Sequence, residues 1–166
     1  MALSQIVWEI PRPPPLTGGK LRQKEMLMDA REYFNYVAMP KYNEFVQSPN
    51  DFRLLESALY SMDTVAERLG LHQLGYAQVS REALYQKAKE IRGQSTSLEN
   101  LHSCSNALKH GRSIRDHSDN FMTIATSTGI DPNDSTTWEI GGHDLVQVAH
   151  DGFAVLNSFA ELKPVP

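Results

Sequence analysis

The sequence predicts an all-α fold, a helical bundle of about five helices with a long loop before the last helix. Three observations carry that prediction. Apolar residues recur at steps of three and four through successive stretches of the chain, which is the period of one helix face. Ser, Thr or Asp opens these stretches and Gly or Pro closes them, supplying the caps and stops that helices need. The 166 residues, 40% hydrophobic and 22% charged, suit one globular domain that buries about 70% of its unfolded surface.

The first residues form an arm. Ile10-Pro11-Arg12-Pro13-Pro14-Pro15 fixes φ and removes backbone donors, which favours polyproline II. Gly18-Gly19 ends it, so residues 1–19 are an extended proline-rich arm and 20–166 a single helical-bundle domain. Such an arm can dock in a partner groove or lie along its own or a neighbouring subunit. A helical pattern starts at Leu21, with Leu27, Ala30, Phe34 and Val37 on one face. Pro40 should end or kink this helix, and a shorter piece with Tyr42, Phe45 and Val46 continues to Gln47. Ser48-Pro49-Asn50-Asp51 reads as a turn and an N-cap.

The second helix starts at Phe52, with an apolar stripe of Leu55, Ala58, Leu59, Met62, Val65, Ala66 and Leu69. Gly70 is placed to follow its end, and Leu71 to Val79 connects onward. Ser80 caps a third helix whose core face is Leu84, Ala88 and Ile91, stopping at Gly93. Thr96-Ser97-Leu98-Glu99 matches a capping box. The fourth helix therefore starts there, buries Leu98, Leu101, Cys104 and Leu108, and runs at least to His110, with Met122 as its outer limit. Thr123 to Gly142 reads as a long loop, pinned to the body by Trp138-Glu139-Ile140. The last helix begins near His143 or Asp144. It aligns Leu145, Val148, Ala149, Gly152, Leu156 and Phe159, and ends at Lys163-Pro164.

Composition narrows the function classes. A net charge of −4 argues against a strongly cationic nucleic-acid binder and leaves room for a local basic patch. One cysteine, Cys104, makes an internal disulfide impossible, and on the apolar stripe it reads as an inert core thiol. Met1 to Ile10 lacks a basic n-region, and no stretch approaches the roughly 18 apolar residues of a membrane span. The expected location is cytoplasmic, with no membrane partner. GxxxxGK[ST], GxGxxG and GxSxG are missing, so phosphate-loop and α/β-hydrolase chemistry fall away.

Histidines invite a metal reading. His110 and His117, and His143 and His150, are each spaced by seven residues. That is about 10.5 Å along a helix, too far for one zinc ion bound at about 2 Å. Zinc would need single ligands from different helices, so no metal or other cofactor is assigned. Asp131-Pro132-Asn133-Asp134 lacks the spacing and final Glu of an EF-hand and reads as turn residues.

The most informative stretch runs from Ser105 to His117. On a continuous helix Asn106, His110 and His117 lie within about 40° of one another, facing away from Leu101 and Leu108. Ile114 and Phe121 fall on the same side. Either Gly111 breaks or rotates the helix, or the helix is covered on both sides and this face lies at an interface. An amide beside an imidazole can fix its orientation and tautomer, as proton transfer requires.

Asn106-Ala107-Leu108-Lys109-His110-Gly111 resembles the terminal-helix motif of HEPN domains (higher eukaryotes and prokaryotes nucleotide-binding). In these four- to five-helix bundles an arginine, often followed by asparagine, precedes a histidine by four to six residues, near a dimer interface. Asn106 and His110 match, while the arginine position falls on Ser105. A second alignment, Arg112-Ser113-Ile114-Arg115-Asp116-His117, has the arginine and histidine without the asparagine. The resemblance implies a homodimer that is a metal-independent ribonuclease, or an inactive relative, in a defence or toxin–antitoxin system. It implies catalytic roles for Asn106, His110, Arg112 and His117, and phosphate contacts from Lys109 and Arg115. Cleavage would use the 2′-hydroxyl as nucleophile, a histidine as base and a cation for the charge developing on phosphate. The rival expectations are a non-enzymatic module that binds a protein partner through its arm and long loop, and a ligand- or metal-binding bundle.

Overall fold

The computed structural model describes residues 28–75, 79–110, 122–125 and 137–165. The arm, Leu21 to Leu27, and the chain from Gly111 to Phe121, including Arg112, Arg115 and His117, lie outside the described residues.

The all-α expectation holds. Helix α1 (Ala30–Tyr33) starts in a capping box, in which the Asp29 carboxylate accepts from Glu32 N–H and Glu32 reaches back to Asp29 N–H. It passes without a break into a π turn (Phe34–Ala38) and then α2 (Met39–Gln47). Pro40 was expected to end or kink the helix; instead the chain carries on through it. Proline lacks an N–H, and its ring presses on the carbonyl one turn back; the wider π turn relieves both. Ala30, Phe34 and Val37 are buried as the periodicity predicts.

Helix α3 (Phe52–Gln73) is the central helix, and every other helix packs on it. Asp51 caps it by accepting from Arg53 N–H. All seven stripe residues are buried. Gly70 does not end it, because the helix continues for three more residues. A Cβ on Gly70 would meet Ala88 N of the next helix at 3.4 Å, so this glycine marks a close crossing. Helix α4 (Arg81–Arg92) has the expected Ser80 cap and stops at Gly93. Helix α5 (Thr96–His110) differs at its start: the Ser95 hydroxyl, one residue earlier than expected, accepts from Ser97 N–H.

The expected loop over 123–142 is interrupted by strands of a three-stranded antiparallel sheet that also takes in the residues flanking it, in the order β1 (Met122–Ala125), β2 (Thr137–Ile140), β3 (His143–Asp144). Met122 faces Ile140, and Ile140 faces His143 across a two-residue turn. That turn is Gly141-Gly142, with φ of 57° and 78°, the geometry of a hairpin turn matching the strand twist. Trp138 and Ile140 are buried and Glu139 is exposed, which pins β2 to the body as expected. Trp138 lies 5.6 Å from the Phe52 ring.

Helix α6 (Leu145–Ser158) is capped by Asp144, which accepts from Val146 and Gln147 N–H. Its Gly152 lets α5 approach: a Cβ there would come within 3.1 Å of Leu101 Cδ2. The chain closes with a 3₁₀ turn (Ala160–Leu162) rather than continuous helix. Arg31 and Asn35 donate to the Glu161 and Leu162 carbonyls and tie this end to the first helix.

Candidate functional site

A charged cluster forms where α3, α4 and α5 meet. Asp63, on α3, is 3% exposed. Burying a lone carboxylate is costly, and three cationic or titratable side chains answer it. Arg92, at the end of α4, places its guanidinium 2.9 Å from Asp63 Oδ1. His102 Nδ1, on α5, lies 3.0 Å from Oδ1 and 3.2 Å from Oδ2. Lys109 Nζ, two turns further along α5, lies 3.5 Å from Oδ2. Arg92 also reaches Glu67 at 3.4 Å. The Lys109 ammonium sits 5.3 Å over the Tyr60 ring, and Tyr60 donates to Glu56 at 2.7 Å.

Burial pushes the Asp63 carboxyl up. The His102 hydrogen bond and the charges of Arg92, His102 and Lys109 outweigh that and hold it below its ordinary 3.8. Asp63 is therefore a carboxylate and only accepts. The proton between it and His102 belongs to Nδ1, and in the neutral ring Nε2 carries the lone pair. Among the described residues Nε2 has no hydrogen-bond partner. The side chains of His102 and Lys109 are 36% and 37% exposed, against 7% for Arg92. Two partly exposed side chains thus flank a sealed carboxylate and guanidinium.

Three of the six candidate site residues fall among the described residues. Asn106 and His110 are exposed on α5, away from buried Leu101, as their phase predicts. Lys109 is also exposed, but its side chain folds over Tyr60 toward Asp63. Ser105, where the motif's arginine falls, is fully buried, and its hydroxyl has no hydrogen-bond partner among the described residues. Arg112, Arg115 and His117 lie outside them.

Sequence reasoning missed Asp63, Arg92 and His102. Asp63 carried a usable signal. It stands four residues after Leu59 and three before Ala66, inside the apolar stripe, and a carboxylate there demands a cation. Which cation answers is a tertiary fact that helix periodicity does not contain.

The other described groups offer less. Cys104 is 1% exposed, and burial pushes its thiol up to about 11, as an inert core thiol requires. His150 is bound 2.7 Å from the Tyr42 hydroxyl, and the Tyr42 ring stacks 3.9 Å from Phe153, an aromatic seam between α2 and α6. Among the described residues no three His, Cys, Asp or Glu side chains converge as a metal ion would need. No helix of the described residues is long and apolar enough to cross a membrane. Comparison with known proteins finds no matching family model, no significantly similar curated protein and no significantly similar solved structure.

Proposed function

We propose that this chain is a HEPN-like helical domain that cleaves single-stranded RNA without a metal ion, working in the cytoplasm as a homodimer in a defence or toxin–antitoxin setting. One observation carries the reading. The α5 helix presents Asn106 and His110 in solvent, one turn apart, beside a lysine and a second histidine that share one buried carboxylate. Imidazole, ammonium and amide along one rod are the groups that phosphodiester transesterification uses: a base for the 2′-hydroxyl, a cation for the phosphate oxygens and a donor to hold the strand. Arg112, Arg115 and His117 follow closely in sequence, interleaved with Asp116 and Asp119, and add a guanidinium and imidazole supply to the reading.

The test is cleavage of a single-stranded oligoribonucleotide in excess EDTA. The full chain is expected to cut it, and the double variant Asn106→Ala/His110→Ala to raise KM at least tenfold, since both side chains are exposed and their loss leaves the fold intact. Intact RNA at micromolar protein rejects the proposal.

A further inference from the structure

We infer that His102, rather than His110, is the proton-transfer residue of this site, with Asp63 as its positioning residue and Lys109 as the cation for the reacting phosphate. This rests on the ribonuclease reading above and assigns the roles within it.

The argument starts from what a general base needs: a fixed ring, a lone pair on the outward nitrogen and stabilisation of the cation formed on protonation. His102 has all three. Asp63 holds Nδ1 at 3.0 Å, which sets the tautomer and leaves Nε2 as the base. The same carboxylate stabilises the imidazolium. Arg92, at 7% exposure, is too deep to meet a substrate, and its ion pair with Asp63 fixes the carboxylate that fixes the ring. Among the described residues no side chain holds the His110 imidazole by a hydrogen bond.

Lys109 completes the site. Its ammonium and the His102 ring lie against the same atom, Asp63 Oδ2, so they are neighbours. Lysine is a point charge on a flexible stem, and at 37% side-chain exposure it can turn from the carboxylate to a phosphate oxygen. At 100° per residue His102, Asn106 and Lys109 fall within about 60° on one α5 stripe, while His110 stands about 80° round from His102. Asn106 then holds the reacting strand, and His110 meets its continuation.

The step is a transesterification. The 2′-hydroxyl proton passes to His102 Nε2, and the 2′-oxygen forms a bond to phosphorus. The P–O5′ bond breaks with its electron pair on O5′, which takes a proton from water. The imidazolium returns its proton to the hydroxide so formed. The products are a 2′,3′-cyclic phosphate and a 5′-hydroxyl.

The experiment compares full-length wild type, His102→Gln, Lys109→Gln and His110→Ala on one oligoribonucleotide in EDTA, with circular dichroism confirming each fold. His102→Gln is expected to lower kcat by about 10²- to 10⁴-fold. Lys109→Gln should lower kcat at least tenfold, and His110→Ala should act on KM. A long-range ¹⁵N spectrum of the wild type should show His102 protonated on Nδ1, and the Asp63→Asn variant should shift that tautomer. If the wild type cleaves and His102→Gln cleaves within threefold of it, this assignment is overturned while the ribonuclease reading stands. An Nε2–H tautomer for His102 overturns it equally. RNA left whole by the wild type removes the ribonuclease reading and this assignment together.

Discussion

Asp63 is where residue-scale energetics concentrate. Removing one partner of a buried ion pair strands the other, at a typical cost of 3–5 kcal/mol. Arg92→Ala should therefore destabilise the fold by about that much in urea titrations at pH 7, because His102 and Lys109 are too exposed to replace a guanidinium that is 7% exposed. The pH dependence follows from the sign of the Asp63 shift. Its folded carboxyl titrates below the ordinary 3.8, so the unfolded chain takes up this proton first as pH falls. The stabilisation is complete above 3.8 and is lost as pH drops through the lower folded value. Unfolding free energy followed from pH 6 to pH 2 should fall more steeply for wild type than for Asp63→Asn. Parallel curves would mean that the carboxylate is not held as its partners indicate.

Elements were legible where one helix face decided them. The α3 stripe, the Ser80 cap, the Gly93 stop and the start of α6 near Asp144 follow from local periodicity and capping, and the structure has them. Elements that answer to a neighbour were not. Gly70 resembles a stop signal until α4 is seen crossing it, and Pro40 resembles a break until a π turn absorbs it. The β2–β3 hairpin did have a local sign in Gly141-Gly142, but strands this short are outweighed by the turn-forming composition around them. Gly152 is the sharpest packing test at this scale. A Cβ already falls 3.1 Å from Leu101, which is 1% exposed. Gly152→Val should cost about 1–3 kcal/mol through overpacking of the α5–α6 contact, read as a lower urea midpoint at unchanged m-value. A midpoint equal to wild type would show that α6 can retreat from α5 freely.

For the whole molecule, the bundle class was readable from length, period and punctuation, because packed amphipathic helices have few other arrangements. The site was readable only in part. Exposed Asn106 and His110 follow from helix phase, whereas the Asp63–Arg92–His102 cluster joins residues that only folding brings together. Assembly belongs to the same scale. The homodimer proposal predicts a sedimenting species of about twice the 18.7 kDa chain mass at micromolar concentration; a monomer at every concentration up to 100 μM (about 10²-fold above a typical micromolar affinity) would dissociate the site from any twofold seam. The central claim is chemical, and one measurement reaches it most directly. A DNA oligonucleotide carrying a single ribose is incubated with the full chain in EDTA, and its product ends are read by mass. The account predicts one cut, on the 3′ side of the ribose, leaving a 2′,3′-cyclic phosphate. An uncut strand, or cuts at deoxy positions, would contradict it.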